Sequence, residues 1–290
     1  MTDVTATATV DAIADQSSAV ARRVPRRRRV RSAWTLVVFV LAIAYFVVPL
    51  YGSGVFAFST GKAFSVQPLF DALGDPGFQA SLILSVTYAL ITTFLSVVIV
   101  APTAYLIALR FPGLRATMEF ISILPFVIPA IILTLGLEEV YGIRSPINLL
   151  ASQWAPALLI FGYVILALPF VYRAVDNALR AVDVRSLAEA SAILGAGSFE
   201  TYLRVIVPSI WVGLVSAALL SFTTAMGEFT LASLLGFATF PVFLENLNGF
   251  EPRATSALVL VSFAITWAGV LALTAVARRA PGSRVVRGAQ

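Results

Sequence analysis

The chain has 290 residues, of which 59% are hydrophobic and 12% charged, with no cysteine and no histidine. A soluble domain carries about 25% charged residues, so this composition, with a mean hydropathy of +0.92, marks a membrane protein. The missing residue types exclude disulfides, thiol nucleophiles, imidazole bases and the commonest metal ligands.

The first 20 residues are rich in Thr, Ala, Asp and Ser and read as disordered. "RRVPRRRRVR" follows, with seven arginines between Arg22 and Arg31, so residues 1–32 form a basic tail. The apolar run after Arg31 is longer than the 7–15-residue core of a signal peptide. Arginines directly beside a span point to topology or to anionic membrane lipids, and not to nucleic acid.

Long neutral gaps between charges then divide the chain. A spanning helix needs about 20 apolar residues. Six gaps place spans near 34–56, 80–109, 118–137, 155–174, 205–227 and 254–277, none with an ionisable residue in its interior. A seventh gap, 229–244, has 16 residues and contains Gly236 and Pro241; it reads as an interfacial or re-entrant helix. Pro102, Pro125, Pro129 and Pro169 fall in or near spans, where a lost hydrogen bond permits a fixed kink or a hinge. Residues 33–280 thus form one all-α transmembrane domain, followed by a short tail, 281–290.

Seventeen of the 20 basic residues lie on one side of these spans; only Lys62, Arg144 and Arg253 lie on the other. The positive-inside rule puts both termini in the cytoplasm. Residues 175–204 are then a cytoplasmic loop. Within it Ser186-Leu-Ala-Glu189 fits a capping box. Gly195 would end that helix in a left-handed turn, Gly197 would add a second bend, and Ser198 would cap a new helix running toward Pro208. The small side chains of Ala190 and Ala192 would let a partner approach closely. Local chemistry alone leaves a docking element and a plain amphipathic loop both open.

Glu189-Ala190-Ser191, three residues, Gly195, nine residues, then Val205-Ile206-Val207-Pro208 resembles the EAA motif of binding-protein-dependent ABC transporter permeases. That pattern is Glu-Ala-Ala, three residues, Gly, nine residues, Ile-x-Leu-Pro. Ser191 replaces the second alanine, and Val205 and Val207 replace the isoleucine and leucine. "LPFVIPAIILTLGL" (Leu124 to Leu137) is similar to the family's third span, and the resemblance covers most of residues 80–275. It implies the six-helix type I importer permease fold in a bacterial inner membrane. It also implies a second permease subunit, identical or paralogous, an ATP-binding subunit dimer carrying ATP and Mg, and an extracytoplasmic substrate-binding protein. In that family the loop is a coupling helix seated in the ATPase. Glu189 would meet a basic residue of the ATPase, Gly195 and Gly197 would supply the bends, and Pro208 would mark the entry to span five.

This chain carries no phosphate loop of its own. Such a loop needs Gly-x4-Gly-Lys-Ser/Thr, and the single lysine, Lys62, is followed by alanine. An ion-driven secondary transporter would place ionisable residues at mid-membrane, and the six spans offer none; a non-transporting scaffold would need neither ATPase nor binding protein. "TTAMGEFTLASLLG" (Thr223 to Gly236) is similar to a segment of two permease subgroups, one for polyamines and sometimes iron or phosphonates, the other for sulfate and molybdate. The external face holds Asp71, Asp75, Glu138, Glu139, Glu228, Glu245 and Glu251 against three basic residues, which favours a polyamine-like cation by field steering. Glu228, at the mouth of span five, is a candidate for the substrate path or a helix end in water.

Overall fold

A computed structural model describes residues 33–60 and 63–279. The basic tail, Lys62 and residues 281–290 lie outside the described residues, and with them the expectations for both tails. Residues up to Tyr51 form one compact unit and those from Gly52 onward a second.

The apolar gaps become helices because a lipid-facing backbone must satisfy its own hydrogen bonds. Helix α1 spans Ala33–Phe58. A two-residue hairpin follows, β1 Ser59–Thr60 against β2 Ala63–Phe64, antiparallel with Ser59 opposite Phe64. Helix α2 is Gln67–Gly74 and α3 is Pro76–Leu109. The start of α3 is set by Asp75, whose carboxylate accepts the Gly77 and Phe78 amides at 2.6 and 3.3 Å, and by proline at the first helical position. After a single 3-10 turn come α4 (Arg115–Val127), α5 (Ala130–Tyr141), α6 (Ala155–Ala181) and α7 (Val184–Ile193). Then come α8 (Ser198–Thr201), a π-turn (Tyr202–Ile206), α9 (Val207–Ser209) and α10 (Trp211–Met226). The short helices α11 (Thr230–Leu234) and α12 (Phe240–Asn248) precede α13 (Pro252–Arg279).

Among the described residues four helices, α1, α3, α6 and α13, are long and apolar enough to cross a membrane, and two bent pairs, if each is one span, bring the candidate spans to six. The third and fifth spans are therefore not the straight helices that the neutral gaps predict. The third breaks by 97° between α4 and α5. Pro129 causes this: its ring pushes Ile128 out of the helical region, to φ −89° and ψ 114°. The fifth breaks by 79° at Ile210. There Pro208 withholds an amide, the preceding turn widens to a π-turn, and the Val207 amide reaches back to the Tyr202 carbonyl. The 229–244 gap resolves into the two short helices α11 and α12.

The centre of the second unit is α3, α6 and α10, packed around Ala101, Ala104, Val171, Val175, Ile206 and Leu214. Small residues bring the backbones close: a Cβ on Gly213 would meet Ala178 Cβ at 2.2 Å. Hydroxyls join the helices where hydrocarbon offers no water. Ser221 donates to Ser96 at 3.2 Å, and Ser85 Oγ accepts the Phe240 amide at 2.7 Å.

Helix α6 continues past its expected end at residue 174 to Ala181, because a charge gap stops at the first charge and the helix does not. The extra turns carry Asp176, which is buried. Its two oxygens accept from Arg115 at 2.5 Å and Arg180 at 2.8 Å. Glu119 closes the ring, 2.7 Å from Arg180 and 3.7 Å from Arg115. Alternating charges thus pin the start of the broken third span to α6.

Candidate functional site

Two constellations hold the residues singled out in the sequence. The first is the turn between α7 and α8. Its helix begins three residues, just under one turn, earlier than the capping box suggests: the N-cap is Asp183, not Ser186. The Ser186 amide donates to Asp183 Oδ1 at 3.2 Å and the Ser186 hydroxyl to Oδ2 at 2.6 Å. These bonds hold the Asp183 carboxyl below the usual carboxylate range. Val184 decides the start, since it is buried against the core and draws the helix upstream. Glu189 consequently sits in mid-helix, exposed, with no capping duty.

The helix closes as the sequence predicts. Gly195 has φ +83°, the left-handed region that only glycine enters cheaply. The Ala196 amide donates to the Ser191 carbonyl and the Gly195 amide to that of Ala192, both at 3.0 Å, which is a Schellman motif. Ser191 is buried, and its hydroxyl donates to the Leu187 carbonyl at 2.8 Å. Ala190 and Gly197 are exposed. Gly197, not Ser198, is the N-cap of α8; the Ser198 hydroxyl is engaged instead by Arg110, at 3.1 Å. Pro208 is exposed two residues before the 79° bend. The backbone is thus fixed while its apolar side chains stand in the open: Ile193 is 86% exposed, Leu194 87% and Phe199 75%. Burying such side chains is worth about 1.5–3 kcal/mol each, and no packing among the described residues supplies that gain here.

The second constellation surrounds Glu228. It does not end a helix in water. It is half-buried, and its carboxylate accepts the amides of Thr230 and Leu231 at 2.9 Å and of Ala232 at 3.5 Å. These are the orphan amides at the start of α11. That helix packs on α6 so closely that a Cβ on Gly162 would meet Leu231 Cδ2 at 2.5 Å. Gly162 lies seven residues into α6, about 10 Å along its axis, so Glu228 serves a helix start well inside the span. Non-helical backbone is tolerated at such depth only where protein or a wet cavity satisfies it. Beside it Tyr163, which packs with Leu231 and Ala232, keeps a buried hydroxyl with no partner among the described residues. No three acidic side chains among the described residues come together as a metal site.

Sequence reasoning missed the Asp176 ring, Asp183 as a cap and Glu228 as a cap. A usable signal existed for Asp183: acid-x-x-Ser ahead of an apolar position satisfies the same capping chemistry as Ser-x-x-Glu.

The chain matches a family model described as "Binding-protein-dependent transport system inner membrane component" over residues 102–280. It is 31% identical over 242 residues to the sulfate transport system permease protein CysW of Synechocystis sp., a match covering 78% of this chain and 87% of that protein. It is 32% identical over 162 residues to the spermidine/putrescine transport system permease protein PotB of Haemophilus influenzae, covering 51% of this chain and 55% of that one. Its fold is like that of a bacterial ABC transporter involved in the import of the acidic polysaccharide alginate, with a TM-score of 0.60 at 17% identity over 86% of this chain and 96% of the other. A multi-pass helical membrane chain with these relatives is a transport subunit and not an enzyme, and it belongs to the binding-protein-dependent transport family as a permease of the ABC importer type.

Proposed function

We propose that the turn from Val184 to Pro208 is the element through which a separate ATPase subunit moves this permease. The observation that carries the reading is the pairing of a rigid Schellman turn with exposed Ile193, Leu194 and Phe199. Glu189 faces outward without a hydrogen-bond duty and is free to meet a basic residue of the ATPase. Ala190 keeps that face low, and Ser191 anchors the helix from beneath. Gly195 and Gly197 shape the two bends, and Pro208 begins span five. ATP and Mg belong to the partner ATPase dimer. A second permease copy, identical or paralogous, and an extracytoplasmic binding protein complete the importer, with both termini cytoplasmic in a bacterial inner membrane.

The test is uptake in vesicles that contain the whole transporter. Glu189→Lys and Gly195→Asp should abolish uptake while the chain still reaches the membrane at normal level. A compensating Lys/Arg→Glu change in the ATPase should restore the first. Normal uptake by Gly195→Asp would sink the coupling role.

For cargo we propose a polyamine-like cation, on the acidic balance of the external loops. A second reading, an oxyanion such as sulfate, is favoured by the greater span of the match to the sulfate permease. Uptake of labelled spermidine and of labelled sulfate by the reconstituted transporter separates them.

A further inference from the structure

A trough of about 730 Å3 runs along α3 from Val97 to Arg110. Its opposite wall is built by Tyr202, Val207, Trp211 and Leu214, on the far side of the turn from α7. The lining is apolar along its length, and polar groups gather at one end, where Arg110 and Ser198 meet at 3.1 Å. Arg115, Arg180 and Arg204 at this end of the bundle each pair with a carboxylate. Arg110 has no carboxylate within ion-pair distance among the described residues.

The dimensions match one leaflet. From Val97 to Arg110 a helix rises about 20 Å, about 5 Å more than half of a hydrocarbon core about 30 Å thick. Arg110 therefore reaches headgroup level when Val97 lies near the bilayer middle. Tyr202 and Trp211 flank the trough, as amphipathic rings do near a membrane interface. An unfilled apolar trough forfeits dispersion contacts along its whole wall, and hydrocarbon is the filler that a membrane supplies. Arg110 stands exposed at the end of the trough, where its charge is complementary to an anionic headgroup.

We propose that this trough binds one acyl chain of an anionic phospholipid from the adjoining leaflet, with Arg110 at its phosphate. Ser198 and Phe199 belong both to the trough and to α8, so the bound lipid braces the helix that follows the Gly195 turn. The inference needs the membrane placement only; it stands or falls apart from the coupling role of Glu189.

The experiment is native mass spectrometry of the intact transporter after exchange into phosphatidylglycerol or phosphatidylcholine vesicles. Wild type should retain one phosphatidylglycerol per copy in preference to phosphatidylcholine. Arg110→Gln should lower that retention about fivefold, the share of one basic side chain at an anionic surface, and Arg110→Lys should keep it. Val215→Trp, which plugs the trough, should lower retention of both lipids. A photoreactive residue at Val98 should crosslink to lipid. Equal retention by wild type and all variants would overturn the inference. So would displacement of the lipid by millimolar inorganic phosphate, or a Val98 crosslink to a second permease, which would make the trough a protein interface.

Discussion

The turns that end at Gly195 and at Gly236 are built from the same parts and stand in different surroundings. Each follows a short helix capped at its start by a carboxylate, Asp183 for α7 and Glu228 for α11. Each ends on a glycine at positive φ, +83° and +78°. Each closes with the same pair of amides: Ala196 to Ser191 and Gly195 to Ala192 in one, Phe237 to Ala232 at 2.8 Å and Gly236 to Ser233 at 3.3 Å in the other. The surroundings differ. Leu231 and Ala232 are fully buried, whereas Ile193 and Leu194 stand in the open. The same backbone device therefore does two jobs. Inside the span it lets an interrupted helix restart without stranding polar groups; at the end of the bundle it leaves apolar side chains exposed.

The largest expected effect tests that division directly. Alanine at a left-handed position costs about 1–2 kcal/mol, so Gly195→Ala and Gly236→Ala should lower thermal stability by similar amounts. Uptake should fall beyond the loss of folded protein only for Gly195→Ala, read as transport per unit of folded transporter. Equal losses of specific uptake would erase the distinction. Next is Glu228→Ala, which leaves amides of α11 without acceptors where water is scarce. We predict a loss of about 2 kcal/mol, measured as the shift in detergent unfolding. Glu228→Gln, which keeps an acceptor oxygen, should lose markedly less. If Glu228→Gln also keeps the cargo's charge preference, the residue caps a helix and does not line the path.

Asp183→Ala should cost less than Glu228→Ala, because water can serve the amides it abandons; hydrogen exchange at the Ser186 amide reports it. The pH sign follows from the lowered carboxyl of Asp183. Its contribution is complete above the ordinary carboxylate range and is lost as pH falls through the lower folded value. Protection of Ser186 should therefore hold at neutral pH and fade only in strong acid.

Much of this arrangement was legible in the sequence. Six apolar gaps correspond to six candidate spans, two of them bent helix pairs, because a membrane tolerates charge only at helix ends. Gly195 was placed in its left-handed turn because a small residue run cannot stop a helix by itself. The caps were only half legible: Asp183 and Ser186 both carry a capping signal, and the choice between them belongs to the burial of Val184. The bends were half legible. Pro129 and its effect on Ile128 follow from local sterics, but the 79° bend falls on Ile210, two residues beyond Pro208. The role of Glu228 was hidden because an apolar gap says nothing about a chain that stops and restarts within the bilayer.

The ring of Arg115, Asp176, Arg180 and Glu119 has a consequence for how this chain can change over generations. Every member touches two of opposite sign, so one altered charge leaves two neighbours short of a partner, and altering either arginine does so to the buried Asp176 carboxylate. Removing one partner of such a pair costs about 3–5 kcal/mol when it is buried. Exchanging Arg115 with Asp176 alone sets each swapped charge against like charge on Glu119 or Arg180. Drift at these four positions is therefore forced to be concerted, by full reversal of the ring or by its replacement with apolar residues, and the intervening single steps are the ones that selection removes.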